Sequence, residues 1–562
     1  MASTAANHYT NVNMNEQRIG RPVRLRSIFL TGLLFASITG VAAEQSLTSA
    51  ERAYADMNDA YGAMSLIDSG LQSTYAGKTR AQWMEVYSLR RTSVLAALDA
   101  IPAGSLHAHD ARAARLMRET IEAAGESPDS MAPVTRCSDA RKRDLDADAL
   151  RPALYGCFAE LANDLKFEGN SVTRVGAFDL LTRMDEPERR KALFLAFVPL
   201  WQALNGRSEP DSPYRRMIAG ASASMAKSGS PIDAAARTVG VEPMQIERWL
   251  EQILDAWRRA TGDTPIEPWD YRYVHGAAER ELGSAIARES MQPINERFFL
   301  DLGADLKGWG VLYDLDPRAG KAPLAYTDYV KRGRTVEGAW QPTIARVSGS
   351  YAHGGLGLLN ELVHENGHAV HMMALHTRPA FMDLGDAVFY EAFADVPSWS
   401  VYEPVWQEKY LRTSATQQKS LRSLYANVML DVAWALFDLR MLRNPERDPN
   451  LVWTDITSKY LHIVPHPELS WWAVRVQLVD SPGYMINYGL GSVITADIRQ
   501  RTAQALGAFD AGNPRWYPWL AEQLLAGGQT QETSRLLRDF LGRPVSAQAL
   551  LEQIERLNVP TN

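Results

Sequence analysis

Leu358-Leu359-Asn360-Glu361-Leu362-Val363-His364-Glu365-Asn366-Gly367-His368-Ala369-Val370-His371-Met372-Met373-Ala374-Leu375 carries apolar side chains at Leu359, Leu362, Val363, Val370 and Met373. That spacing predicts a helix with one flank turned to a core. On such a helix His364 and His368 stand one turn apart and project from the same face. Two neutral imidazole nitrogens can then reach one tetrahedral zinc ion at about 2.0–2.1 Å. Glu365 directly follows the first imidazole, where its carboxylate faces a water held by the metal without ligating. It is the candidate general base, taking the water's proton as oxygen adds to a scissile carbonyl and passing it to the leaving amine.

Zinc used in this way needs a third protein ligand and one open position. The best downstream candidate is Glu391, in the helical-looking stretch Phe389-Tyr390-Glu391-Ala392-Phe393-Ala394-Asp395. Asp395, one turn further on, can accept a hydrogen bond from the free ring N–H of a ligating histidine and so fix its tautomer. His371 is read as packing or as supporting the ligands from behind, and His376 as a solvated histidine at the helix end. A structural zinc site, which usually closes its fourth position with Cys or His, fits this pattern less well.

Upstream, Thr343–Tyr351 gives the clearest strand signal, with Ile344, Val347 and Tyr351 among small polar residues. It ends at His353-Gly354-Gly355. A strand there predicts an extended edge for a peptide substrate, with His353 beside it as a peptide contact or a plain turn residue. Elsewhere the chain reads as helix, most clearly over Pro231–Thr261 and Arg515–Leu557, the latter interrupted by Gly542-Arg543-Pro544 and Ser546. There is no internal repeat.

The whole chain of 562 residues has a net charge of −7, and 46% of its residues are hydrophobic. These figures fit a globular protein with a large core and argue against nucleic acid, which needs a cationic face. The run Arg141-Lys142-Arg143, followed by Asp144, Asp146 and Asp148, is read as a solvated face. Arg21, Arg24 and Arg26, the apolar run Ile28–Ile38 and the small residues Val41-Ala42-Ala43 resemble a secretory signal with cleavage after Ala43. The apolar run is short for a membrane span. An exported chain, periplasmic or secreted and free of the membrane after cleavage, is therefore expected, with Cys137 and Cys157 paired in a disulfide.

His364-Glu365-Asn366-Gly367-His368 together with Phe389-Tyr390-Glu391-Ala392-Phe393-Ala394-Asp395-Val396 resembles the angiotensin-converting enzyme family. Other stretches resemble the thimet oligopeptidase and neurolysin family: His371, Val396-Pro397-Ser398, Gly483-Tyr484-Met485-Ile486-Asn487-Tyr488-Gly489, Ala496-Asp497 and Phe540-Leu541-Gly542-Arg543. Both groups are helical gluzincins, and the resemblance covers the chain from about Pro268 onward. It implies a mainly α, two-lobed fold with a deep central cleft and a small β-sheet beside the HExxH helix. The expected division is a signal and extension over 1–43, an N-terminal helical lobe over 44–267 and a catalytic lobe over 268–562.

The resemblance further implies one Zn2+ per chain held by His364, His368 and Glu391, with Asp395 behind them. A thimet-style alignment on Pro397-Ser398 would instead put Asp395 at the metal. Tyr484 and Tyr488 carry over as oxyanion donors, Tyr488 first. The histidine that closely precedes these tyrosines in the families is replaced by Val479-Asp480-Ser481, with His462 and His466 further upstream. The implied activity is a zinc metallopeptidase for short peptides, either dipeptidyl carboxypeptidase or oligopeptidase. The alternative is an inactive peptide-binding protein on the same fold.

Overall fold

Local chemistry punctuates a largely helical chain. Thr79 opens helix Arg80–Asp99 with a capping box completed by Gln82, and Thr173 caps Arg174–Arg183. Ser230 and Asp233 form another capping box, with Pro231 in the first helical position. The run Pro231–Thr261, expected as continuous helix, is two helices. Gly240 adopts a left-handed conformation (φ 78°) that ends Pro231–Val239, and Pro243, which has no N–H to leave unpaired, opens Pro243–Thr261.

The computed structural model describes residues 31–123, 137, 145–318, 321 and 325–558. The basic run Arg141–Arg143 and residues 21–30 of the signal-like segment, with its basic positions, lie outside these residues. The first described helix runs from Thr31 to Asp68, through the small residues proposed as a cleavage site. Among the described residues no helix is long and apolar enough to cross a membrane. Cys137 and Cys157 are joined by a disulfide.

Two hydrophobic clusters organise the molecule. Helices Thr31–Asp68, Arg80–Asp99 and Ala108–Ala123 share one, built on residues such as Tyr54, Met57, Val94, Met117 and Ile121, and meet the rest of the chain at Phe381. Ion pairs hold this three-helix unit in place, including Arg378 with Glu51 and Asp110, and Arg334 with Asp56. The larger cluster runs from Cys137 to Leu557. At its centre the 27-residue helix Gln417–Arg443 packs against Pro243–Thr261, Pro449–Leu461 and Met485–Leu506. Gly489 makes one of these crossings possible, since a Cβ there would lie 2.8 Å from both Ala435 Cβ and Leu250 Cδ2.

The sheet beside the motif helix has three strands. Ile344–Ser348 lies in the middle, parallel to Leu312–Asp314 and antiparallel to Tyr326–Lys331. The expectation that this strand offers a free edge to substrate is therefore corrected: both of its edges are paired. Its burial explains the arrangement, because Ala345, Arg346, Val347 and Ser348 are all buried and only flanking strands could satisfy their backbone. The outer strand facing the motif is Tyr326–Lys331.

One buried histidine outside the motif makes acid stability measurable. His275 packs between the rings of Trp257 and Tyr271, and burial lowers it from 6.5 to about 3. The unfolded chain therefore binds a proton at His275 between these values that the folded chain does not, so stability falls as pH falls through this window. Urea unfolding should show a contribution of about 2 kcal/mol lost between pH 6.5 and pH 5, absent from His275→Phe. An unchanged pH slope in the variant would contradict the assignment.

Candidate functional site

The motif helix spans Leu356–Ala374, and a second helix, Ala387–Ser398, crosses it. The crossing is set by Gly367, where a Cβ would stand 2.7 Å from the Cα and carbonyl oxygen of Ala394. Any larger residue would hold the helices apart. This approach brings Glu391 to the two histidines: its Oε2 lies 3.4 Å from His364 Nε2 and 3.9 Å from His368 Nε2. The atoms these three residues could offer to a metal all lie within 4.8 Å of one another, and no other group of three or more His, Cys, Asp or Glu among the described residues is gathered this closely.

A tetrahedral zinc with ligands at about 2.0–2.1 Å holds its ligand atoms about 3.4 Å apart. Two imidazoles and one carboxylate at the observed spacing fit zinc with small closing movements and leave a fourth position open. The electrostatics agree. Although burial would lower it, His364 is raised well above its ordinary value by Asp395 and Glu391, whereas burial and then His364 hold His368 well below its own, so the carboxylates favour positive charge at His364 and His368 stays neutral.

Asp395 lies on the other side of the ring. Its Oδ1 is 2.7 Å from His364 Nδ1 and accepts a 3.0 Å hydrogen bond from Ser398 Oγ. It thus sits where it holds the tautomer that leaves Nε2 free, while Glu391 lies on the Nε2 side.

Glu365 is buried, and Thr327 Oγ1 on the outer strand lies 2.8 Å from both its Oε2 and its carbonyl oxygen. Burial pushes Glu365 up to about 7, so the carboxylate is poised to gain and lose a proton near neutrality. Thr327 limits how its side chain can turn.

Helix Met485–Leu506 packs against Ala387–Ser398, where Thr495 Oγ1 donates to the Ala392 carbonyl at 2.9 Å. Its first turns carry Tyr484 and Tyr488, whose ring centroids are 5.6 Å apart. Burial and then the Glu391 charge push both phenols upward. Both are therefore protonated and able to donate beside Glu391. Gln477 Nε2 donates to Tyr488 Oη at 3.4 Å, close to where the sequence lacks the expected histidine.

The other histidines lie elsewhere. His371 packs edge-on against Phe389 and Phe393. His376 is exposed and stacks on Trp340. His353 sits with Asp179 and Arg183. His462 contacts the Arg258 carbonyl, and His466 lies between Glu267 and Glu468.

Sequence reasoning missed a group of arginines. Arg475 lies over the Tyr488 ring at 6.0 Å and the Trp434 ring at 4.6 Å, and is ion-paired to Asp431. Arg272 lies over Phe178 at 4.2 Å and donates to Asn427. Arg174 lies over the same ring at 5.4 Å and makes no ion pair among the described residues. Burial, then the neighbouring Arg272, lowers Arg174 to about 10, with Glu361 the nearby carboxylate and the Tyr488 phenol also close by. Nothing in the sequence around Arg174 marks it, because its partners come from distant segments.

No family model and no curated protein matches the chain. Among solved structures it is similar to the crystal structure of M32 carboxypeptidase from Deinococcus radiodurans R1. The TM-score is 0.58 with 17% identity, over 92% of this chain and 99% of that one. At that identity the likeness establishes a shared, mainly helical fold over nearly the full length of both chains.

Proposed function

We propose that the chain is a zinc-dependent metallopeptidase that hydrolyses short peptides and engages them through their C-terminal carboxylate. The observation that carries the reading is the gathering of His364, His368 and Glu391 around one point, with Glu365 beside it. Bound zinc would polarise the scissile carbonyl and lower the pKa of water. Glu365 takes the proton, Thr327 keeps its carboxylate aligned, and Tyr488 and Tyr484 donate to the oxygen on which negative charge develops. The family label, converting-enzyme type or thimet and neurolysin type, rests on the motifs alone.

Arg174 favours a C-terminal exopeptidase, carboxypeptidase or dipeptidyl carboxypeptidase, over an internal oligopeptidase. A partly buried cation with no ion pair among the described residues, close to a phenol of the site, suits a substrate carboxylate. Arg475 and Arg272 add to the same field. The structural neighbour is described as a carboxypeptidase, which accords with this reading. The leader-like segment ending at Ala43 and the Cys137–Cys157 bridge support an exported location, periplasmic or secreted.

The test is mass-spectrometric analysis of one short peptide offered as free acid and as C-terminal amide. The free acid should lose its terminal residue or dipeptide while the amide is spared. Arg174→Met should raise KM for the free acid about 10- to 100-fold, the range for a lost charged hydrogen bond. Equal internal cutting of both peptides would favour an oligopeptidase. Binding without cleavage by the zinc-loaded chain would favour a peptide-binding protein.

A further inference from the structure

We infer that Asp438 is a positioning residue that holds Tyr484 and Tyr488 in place by clamping the start of their helix from another helix; this rests on the peptidase reading. Asp438 belongs to the central helix Gln417–Arg443 and is completely buried. Its Oδ2 accepts from the backbone N–H of Gly483 at 2.8 Å and of Met485 at 3.3 Å. These two groups flank Tyr484, so one carboxylate oxygen fixes the backbone on both sides of that residue. Tyr488 follows one turn later on the same rigid helix.

The surroundings make this clamp specific. A helix start presents unpaired N–H groups, and no side-chain cap from its own chain segment serves this one. Asp438 supplies the acceptor instead at the positive end of the helix dipole, where the two backbone N–H groups favour its ionised form against the burial that pushes it up to about 7. Gly483 has φ 92°, and a Cβ there would lie 2.4 Å from Pro231 Cγ. The turn is therefore pressed against the start of another helix and can direct its N–H toward Asp438. The other carboxylate oxygen, Oδ1, is buried without a hydrogen-bond partner. Burying a carboxylate this way is costly, and its two hydrogen bonds are spent on the segment that carries the phenols. The carboxylate makes no contact with His364, His368 or Glu391 among the hydrogen bonds and ion pairs of the site, so its influence on the chemistry runs through the tyrosine backbone.

The experiment uses the zinc-loaded full chain and compares Asp438→Ala and Asp438→Asn in two backgrounds, wild type and Tyr488→Phe. Asp438→Ala should lower kcat about tenfold or more with KM little changed and one zinc per chain retained. Asp438→Asn, which keeps an acceptor oxygen, should recover most of that loss and serves if the Ala variant fails to fold. In the Tyr488→Phe background the same substitutions should cost much less, because the group they position is gone. Hydrogen exchange should accelerate at the Gly483 and Met485 amides and little elsewhere.

Equal losses in both backgrounds, or unchanged exchange at those two amides, would overturn the proposal. If the wild-type chain itself hydrolyses no peptide while Asp438→Ala still loosens those amides, the peptidase reading has failed and the positioning role falls with it. If wild type and Tyr488→Phe differ clearly in kcat but Asp438 variants match wild type, the positioning role alone fails.

Discussion

Glu365→Gln should leave one zinc per chain in place and lower kcat for peptide hydrolysis by about 10²- to 10⁴-fold, the range for losing a general base. Gln has nearly the same shape and still presents an oxygen to Thr327, which lies 2.8 Å from the native carboxylate. It cannot take a proton. KM should change little, because Glu365 is assigned no part in substrate binding. Parallel measurement of metal content, KM and kcat separates this outcome from unfolding or metal loss. Activity within a few-fold of wild type would mean that another group accepts the proton.

The second large effect separates the two carboxylates on helix Ala387–Ser398. Glu391→Ala removes a group whose oxygen lies 3.4 Å and 3.9 Å from the Nε2 atoms of His364 and His368. It should abolish stoichiometric zinc binding and hydrolysis together, since two imidazoles remain of three ligands. Asp395→Asn changes a group hydrogen-bonded to His364 Nδ1. It should weaken zinc by about 10- to 100-fold while leaving a site that fills at higher metal concentration. Competition with a zinc chelator measures both. The reverse order, with Asp395→Asn the more damaging, would support the register in which Asp395 is the ligand.

The core of the site was readable because it depends on short-range helical geometry. His364, Glu365 and His368 lie within two turns of one helix, and Glu391 and Asp395 are one turn apart on another, so spacing alone assigns them to faces. The relation between the two helices was not readable. It depends on Gly367 meeting Ala394, a contact that a single sequence does not reveal. The paired edges of Ile344–Ser348 were hidden for the same reason, because strand partners are non-local. Thr327, Arg174, Gln477 and Asp438 come from segments with no motif and acquire their roles only when the chain folds. Gly240 and Pro243 were visible as helix-breaking residues, but the apolar periodicity of Pro231–Thr261 carried through them and masked the break.

The most direct test of the account is hydrolysis of a free-carboxylate peptide by the purified chain after complete zinc removal, and again after adding back one equivalent. A zinc peptidase with Glu391 as ligand should show no cleavage without metal, recovery that saturates at one zinc per chain, and no recovery in Glu391→Ala. Cleavage that persists in the metal-free chain, or a fully zinc-loaded chain that cleaves nothing, would contradict this reading.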